Sequence, residues 1–180
     1  MGDLDLGCRV LLGVVFAVAA VGKLRSATAL RAFADSLLDL GWLPDVLRWP
    51  AAVATPLAEG GAVALLAVPA TAGFGYALVL LLLAALTLGA VVAIRRGRGV
   101  RCQCFGSGEG ELGKGTVMRN LLLMAVAIAG SAVRLGAGDL RLSAAGAELA
   151  GVLGALAALA VVRWAEFAFL LGVGESGRAA

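Results

Sequence analysis

The chain has 180 residues, of which 61% are hydrophobic and only 15% are charged. Its mean hydropathy is +0.98, whereas soluble domains are nearer half apolar and carry about 25% charged residues. A formal net charge of +3 is too small to indicate a nucleic-acid-binding protein. Because the chain has no histidine, imidazole acid–base catalysis and histidine-ligated metal sites are excluded. The composition predicts an all-α integral membrane protein, since helices satisfy their own backbone hydrogen bonds in lipid.

Apolar segments of the length that crosses a bilayer, roughly 20 residues, occur five times along the chain. The predicted spans are residues 10–22 with an extension back to residue 6, 50–68, 73–94 with a start as early as residue 70, 116–133, and 144–162. The first span has one feature of a secretory signal peptide, because Ala17-Val18-Ala19 resembles a cleavage site. However, Asp3 and Asp5 precede it together with only Arg9, and most of the nearby basic residues follow it. This charge order is the reverse of a signal peptide and predicts a retained first span.

The segment 26–40 lies between the first two spans. Its apolar residues recur at helical spacing, at Leu30, Phe33, Leu37 and Leu40. This pattern predicts a short amphipathic helix that lies in the membrane interface and ends at Gly41. An ordinary connecting helix packed on the bundle fits the same pattern.

Basic residues indicate which side of the membrane is cytoplasmic. We call side one the side that holds the N-terminus and the links between spans two and three and between spans four and five; side two is the opposite side. Side one carries Arg9, Arg134 and Arg141. Side two carries the other twelve of the 15 basic residues, which are Lys23, Arg25, Arg31, Arg48, Arg95, Arg96, Arg98, Arg101, Lys114, Arg119, Arg163 and Arg178. The bias predicts a multi-pass protein of a bacterial-type cell membrane, with its N-terminus outside and side two in the cytoplasm.

The loop between spans three and four contains two cysteines, Cys102 and Cys104, separated by one residue. Two such thiols can form a small, strained disulfide if the backbone bends, and strained disulfides are the more easily reduced ones. Four arginines, Arg95, Arg96, Arg98 and Arg101, precede the pair, and nearby cations favour the reactive thiolate. The pattern indicates thiol–disulfide chemistry.

Two other interpretations of the cysteine pair stay open. It is inert if both thiols act as small apolar side chains. It is half of a zinc site only if two chains together supply four thiolates, because Cys8 falls on side one and cannot join the pair. We interpret Cys8 as structural and predict no metal site.

Four short motifs, in order, resemble those of the MauE/DoxX family of membrane proteins. Residues 16–24 end in Gly22-Lys23-Leu24, which is similar to the AGxxKL-type signature, and Pro56 to Glu59 is similar to its PxxE element. Arg98 followed by Cys102, Cys104, Phe105 and Gly106 resembles the RG…CxCFG loop of the MauE branch, although Gln103 replaces the small residue usual between the cysteines. Arg119-Asn120 resembles the RN pair. The similarity extends from about residue 11 to 130.

The resemblance implies a DoxX-like four-helix transmembrane domain over residues 1–135, to which residues 136–180 add a fifth helix and a tail. It also implies thiol–disulfide chemistry with a thioredoxin-like partner or a maturing redox enzyme, as in the maturation of methylamine dehydrogenase-type enzymes. The catalytic residues would be Cys102 and Cys104. The supporting residues would be Arg98, Arg101, Phe105, Gly106, Lys23, Glu59, Arg119 and Asn120. No residue demands a cofactor, although a quinone would suit a site at the membrane surface.

Glu59 is predicted near the middle of the second span, where an ionisable side chain is costly and usually paired or functional. Lys23, at the side-two end of the first span, could reach it and form a buried ion pair. The alternative is a protonated Glu59 that is hydrogen-bonded to a neighbouring helix. In the last span, Ala150, Gly154 and Ala158 form a row of small residues that predicts close helix packing, within the bundle or between copies in a homo-oligomer.

Two further functions fit the sequence: a non-enzymatic membrane scaffold or chaperone for a redox enzyme, and a small transporter, for which only Lys23 and Glu59 argue. Whether the protein is itself an enzyme stays open. The compartment also stays open, because the charge bias places the cysteines in the reducing cytoplasm whereas the family role implies an oxidising compartment.

Overall fold

The computed structural model describes residues 2–39, 44–95, 114–136 and 144–163. Within these ranges the chain forms six α-helices: α1 (Gly2–Leu24), α2 (Ala27–Asp39), α3 (Arg48–Ala67), α4 (Ala72–Arg95), α5 (Lys114–Gly136) and α6 (Ala144–Val162). Short 3-10 helices at Asp45–Leu47 and Pro69–Thr71 lead into α3 and α4. All of the α-helices except α2 are long and apolar enough to cross a membrane. The chain is therefore an all-α, multi-pass membrane protein.

The five predicted spans are confirmed as α1, α3, α4, α5 and α6, mostly to within two or three residues. The largest difference is at the start of α1, which begins at Gly2 rather than at residue 6. The helix continues through Asp5 because this carboxylate, although 3% exposed, has partners on α4 and α5 and an ion pair within α1. Pairing of the charge removes the cost that would otherwise end an apolar helix there.

Helix α1 lies at the centre of the bundle and packs against α3, α5 and α6, while α4 packs against α3 and α5. Arg9 near the start of α1 contacts the end of α3, and Lys23 near the end of α1 contacts Glu59 in the middle of α3. The two helices are therefore antiparallel, as alternate crossings require. Retention of the first span stays a prediction.

The core is a layer of aliphatic and aromatic side chains between α1 and its neighbours. Leu12, Val15 and Phe16 of α1 are buried in one cluster with Tyr76 of α4 and Leu123 of α5. The outward faces carry exposed large apolar residues, as expected of helices whose solvent is lipid. The core is thus built mainly around one face of α1.

The fifth predicted span, α6, packs closely on α1, and small residues make this contact possible. A Cβ atom added to Gly154 would lie 2.7 Å from the carbonyl oxygen of Gly7 and 3.2 Å from the Cβ atom of Val10. Ala158, one turn further along α6, is fully buried. The predicted small-residue row therefore serves packing within the bundle. The division of the chain at residue 135 stays a prediction.

Ser26 precedes the first residue of α2, and its hydroxyl oxygen accepts a hydrogen bond of 3.0 Å from the backbone N–H of Ala29, a standard N-cap interaction. Its apolar face is packed on the bundle, because Phe33 and Ala34 are buried against Ala52 of α3. Of the two interpretations of this segment, the structure favours the connecting helix packed on the bundle. The predicted end at Gly41 lies outside the described residues.

Candidate functional site

The predicted pairing of Lys23 with Glu59 is present in the structure. The Nζ atom of Lys23 donates to both carboxylate oxygens of Glu59, at 2.7 Å to Oε1 and 2.9 Å to Oε2. The two residues are only 2% and 1% exposed. Two short contacts to one carboxylate favour the ion pair over the alternative of a protonated Glu59, which would donate to a neighbouring helix.

The Lys23 ammonium also contacts groups of α1 and α2. Its third donor points toward the carbonyl oxygen of Ala19, one turn earlier in α1, at 3.4 Å. The ring of Phe33 lies with its centroid 5.1 Å from Nζ, within the range of a cation–π contact. The buried charge is therefore compensated on several sides, which is what a low-dielectric site requires.

The Arg119-Asn120 motif at the start of α5 reaches the same region. Arg119 is close enough to Lys23 for the two charges to interact, and its Nη2 atom donates to Oδ1 of Asn120 at 3.4 Å. Asn120 is 3% exposed. The three motifs that carry Lys23, Glu59 and Arg119-Asn120 therefore lie in one region of the bundle, on α1, α3 and α5. We call these four residues the side-two cluster.

The other predicted site residues lie outside the described residues. These are Arg98, Arg101, Cys102, Cys104, Phe105 and Gly106. Helix α4 ends at Arg95 and α5 begins at Lys114. The ends of both helices that flank this connection therefore lie at side two. The cysteine pair is therefore attached to the same end of the bundle as the side-two cluster.

A second polar network, at side one, was not anticipated as a unit from the sequence. The Tyr76 hydroxyl donates to Oδ1 of Asp5 at 3.0 Å, and Nη1 of Arg134 lies 3.2 Å from Oδ2 of the same carboxylate. Arg9 also approaches this oxygen, at 3.6 Å. In the sequence, the two arginines served to assign the sides of the membrane, and Asp5 served only to interpret the first span. The one available signal was an acid close to the start of an apolar segment.

Both arginines of this network also bind main-chain oxygens at the link between α3 and α4. Arg9 donates to the carbonyl oxygens of Leu66 and Ala67 at 2.6 and 2.8 Å, and Arg134 donates to that of Pro69 at 2.6 Å. The last carbonyls of a helix lack partners within the helix. The side-one network therefore satisfies the end of α3 and joins four spans, which is a structural role.

Chemically, the Lys23–Glu59 pair is a closed arrangement. Lys23 already donates to Glu59 and Ala19, and both oxygens of Glu59 accept from Lys23. A pair so engaged holds helices in place and is not poised to act as a free general base. The groups that could exchange electrons are the thiols of the neighbouring connection, for which only the sequence argues.

Comparison with known proteins identifies the family. A search of curated proteins and a search of solved structures each found no match. The family model described as methylamine utilisation protein MauE matches residues 1–133, about three quarters of the chain. This range includes the side-two cluster and both loop cysteines, and it ends before α6. The chain belongs to the MauE family.

Proposed function

We propose that this protein supports thiol–disulfide chemistry in methylamine metabolism, through Cys102 and Cys104 and with a thioredoxin-like partner. The step served would be the maturation of a methylamine dehydrogenase-type enzyme. The observation that carries the proposal is the CxC pair inside the range matched by a family described by methylamine utilisation. The arginines before the pair, Arg98 and Arg101, supply the positive field that a reactive thiolate needs.

The exchange needs no electron acceptor beyond its two proteins. A thiolate of the reduced protein attacks a sulfur of the other protein's disulfide, so that a mixed disulfide forms and one thiolate leaves. The second thiolate of the attacking protein then attacks its own sulfur in the mixed disulfide, which releases the second thiolate of the other protein. One pair ends oxidised and the other reduced, and the electron count is balanced.

The side-two cluster supports this proposal as a positioning element. It ties α1 to α3 through the Lys23–Glu59 pair, and α5 packs against α1. Helix α5 begins directly after the cysteine-bearing connection. A fixed start of α5 would limit the positions that the connection can adopt, and rigid attachment of a reactive group favours productive encounters.

Trapping of the mixed disulfide tests the proposal. The variants Cys102→Ser and Cys104→Ser each keep one loop thiol, and we expect one of them to accumulate a covalent complex with the partner because the resolving thiol is missing. The complex should disappear with a reductant. Cys8→Ser is the matched control, because Cys8 is buried in α1 near side one. Wild-type exchange by both loop variants would exclude the proposal.

A scaffold that holds a redox enzyme or its precursor at the membrane is the second candidate. The closed geometry of the Lys23–Glu59 pair favours it, since that pair builds structure rather than chemistry. The double variant Cys102→Ser/Cys104→Ser separates the two functions. Partner co-purification together with full maturation of the enzyme would favour the scaffold, and lost maturation would favour the redox role.

We also propose that the N-terminus is outside and that the cysteine pair faces the cytoplasm. The support is the bias of basic residues toward side two. A membrane-impermeant thiol reagent applied to intact cells should then leave Cys102 and Cys104 unlabelled until the cells are opened. Labelling of intact cells would contradict this orientation and indicate that the thiols lie in the oxidising compartment.

A further inference from the structure

Two elements lie near the membrane surface at side two: helix α2, and the residues just before α3. An amphipathic helix in the interface would turn its apolar face into lipid. In α2 this face is already occupied, because Phe33 is 1% exposed and Ala34 is fully buried, both against Ala52 of α3. Arg31 and Asp35 are exposed on the remaining surface. The described side chains of α2, up to residue 37, therefore leave little apolar surface for lipid.

The residues just before α3 show the opposite arrangement. Val46 and Leu47, in the 3-10 helix, are 79% and 47% exposed, and Trp49 in the first turn of α3 is 43% exposed. Such large apolar side chains are costly in water. They are continuous with the transmembrane part of α3, which fixes their depth near the end of that span.

Arg48 links this apolar turn to α2. Its guanidinium carbon lies 5.3 Å from the centroid of the Trp49 ring, and its Nη2 atom lies 3.3 Å from Oδ1 of Asp35. A tryptophan beside a basic residue is the combination found where membrane proteins meet the headgroup layer. The ion pair joins the polar surface of α2 to this apolar turn.

We propose that residues 44–49, here called the side-two corner, insert into the boundary between lipid headgroups and acyl chains, and that they anchor this end of the bundle in place of α2. The partner is the phospholipid bilayer itself. The corner contributes the apolar contact through Val46, Leu47 and Trp49, and Arg48 stays at headgroup level. This inference is independent of the thiol chemistry.

Tryptophan quenching by lipids tests the depth of the corner. The full chain with Trp42→Phe and Trp164→Phe retains Trp49 as its single tryptophan, and it is reconstituted in phosphatidylcholine vesicles. We expect lipids brominated close to the headgroup to quench Trp49 about twofold or more, and lipids brominated near the chain end to quench it less, because interfacial side chains lie about 5–10 Å into the boundary. Quenching by aqueous acrylamide should be weak. Equal fluorescence in brominated and unbrominated vesicles would overturn the proposal.

Charged substitutions show which element makes the contact. In the same single-tryptophan chain, Val46→Asp/Leu47→Asp should reduce lipid quenching and increase acrylamide quenching, since a carboxylate is expensive at this depth. Ala27→Asp, on the exposed start of α2, is the matched control and should leave both unchanged. The opposite result, with the α2 variant changing Trp49 and the corner variant not, would assign the contact to α2. The five spans keep either variant in the membrane.

Discussion

Gly130 of α5 makes the space that the ring of Tyr76 occupies on α4. A Cβ atom added to Gly130 would lie 2.5 Å from Cζ and from the hydroxyl oxygen of Tyr76. That hydroxyl donates to Asp5 of α1. One glycine therefore sets the position of the side chain that joins three helices at side one.

Substitution of this glycine should destabilise the protein. In Gly130→Ala the methyl group displaces the Tyr76 ring, and overpacking of a well-packed core costs about 1–3 kcal/mol. Thermal unfolding in detergent measures the loss. Gly13→Ala is the control, because a Cβ atom there meets nothing within 4 Å. If Gly130→Ala unfolds at the wild-type temperature, the close approach of the two residues is not a constraint.

Substitution of one member of the Lys23–Glu59 pair should lower the free energy of unfolding more than substitution of both members. Either Lys23→Met or Glu59→Gln leaves one buried charge without its partner, and loss of one member of a buried pair costs about 3–5 kcal/mol. The double variant should recover part of that loss, since no isolated charge remains. Unfolding of the four proteins of this mutant cycle gives the coupling energy. Unchanged stability and activity in Glu59→Gln would argue against a functional ion pair.

Loss of Asp5 should destabilise side one. Asp5→Asn leaves Arg9 and Arg134 facing a neutral amide, and we expect a loss of about 3 kcal/mol, the lower end of the range for a broken buried pair. Denaturant or thermal unfolding in detergent measures it. Asp3→Asn is the matched control two residues away, because the described part of the chain gives Oδ1 of Asp3 no hydrogen-bond partner. Equal effects of the two variants would contradict the assigned role of Asp5.

The packing of α6 on α1 should depend on Gly154. A larger side chain there meets the backbone oxygen of Gly7, which cannot move aside as a flexible side chain would. Gly154→Leu should therefore lower stability by about 1–3 kcal/mol and loosen α6, detected as faster proteolysis after Val162. Gly151→Leu, on the same helix where a Cβ atom has open space, should have a much smaller effect. Equal losses would mean that α6 does not pack through this contact.

The arginines before the cysteine pair should control its reactivity. Arg98→Gln/Arg101→Gln removes two positive charges close in sequence to the thiols, so a smaller fraction is thiolate at neutral pH. We expect alkylation of Cys102 and Cys104 to slow several-fold. The rate is read from mass spectrometry of labelled protein. Arg25→Gln is the control for loss of a side-two charge elsewhere. Identical alkylation rates in the wild type, the double variant and Arg25→Gln would contradict the electrostatic part of the proposed mechanism.

Much of this architecture could be predicted because hydropathy is a local property. The apolar segments that become α1, α3, α4, α5 and α6 are each visible in a window of about 20 residues. The Lys23–Glu59 pair was also predictable as a hypothesis. Each of these ionisable residues lies within or at the end of an apolar span, and a buried charge calls for a partner of opposite sign.

Contacts between distant segments were decided only by the tertiary structure. Asp5 contacts Tyr76 and Arg134, which lie 71 and 129 residues away in the chain. The hydrophobic periodicity of the sequence does not indicate which helices become neighbours. For the same reason the amphipathic pattern of α2 showed one apolar face but not what covers it. Sequence determines which segments leave water, because that depends on each segment alone; packing decides which polar groups meet, because that depends on the arrangement of all the helices together.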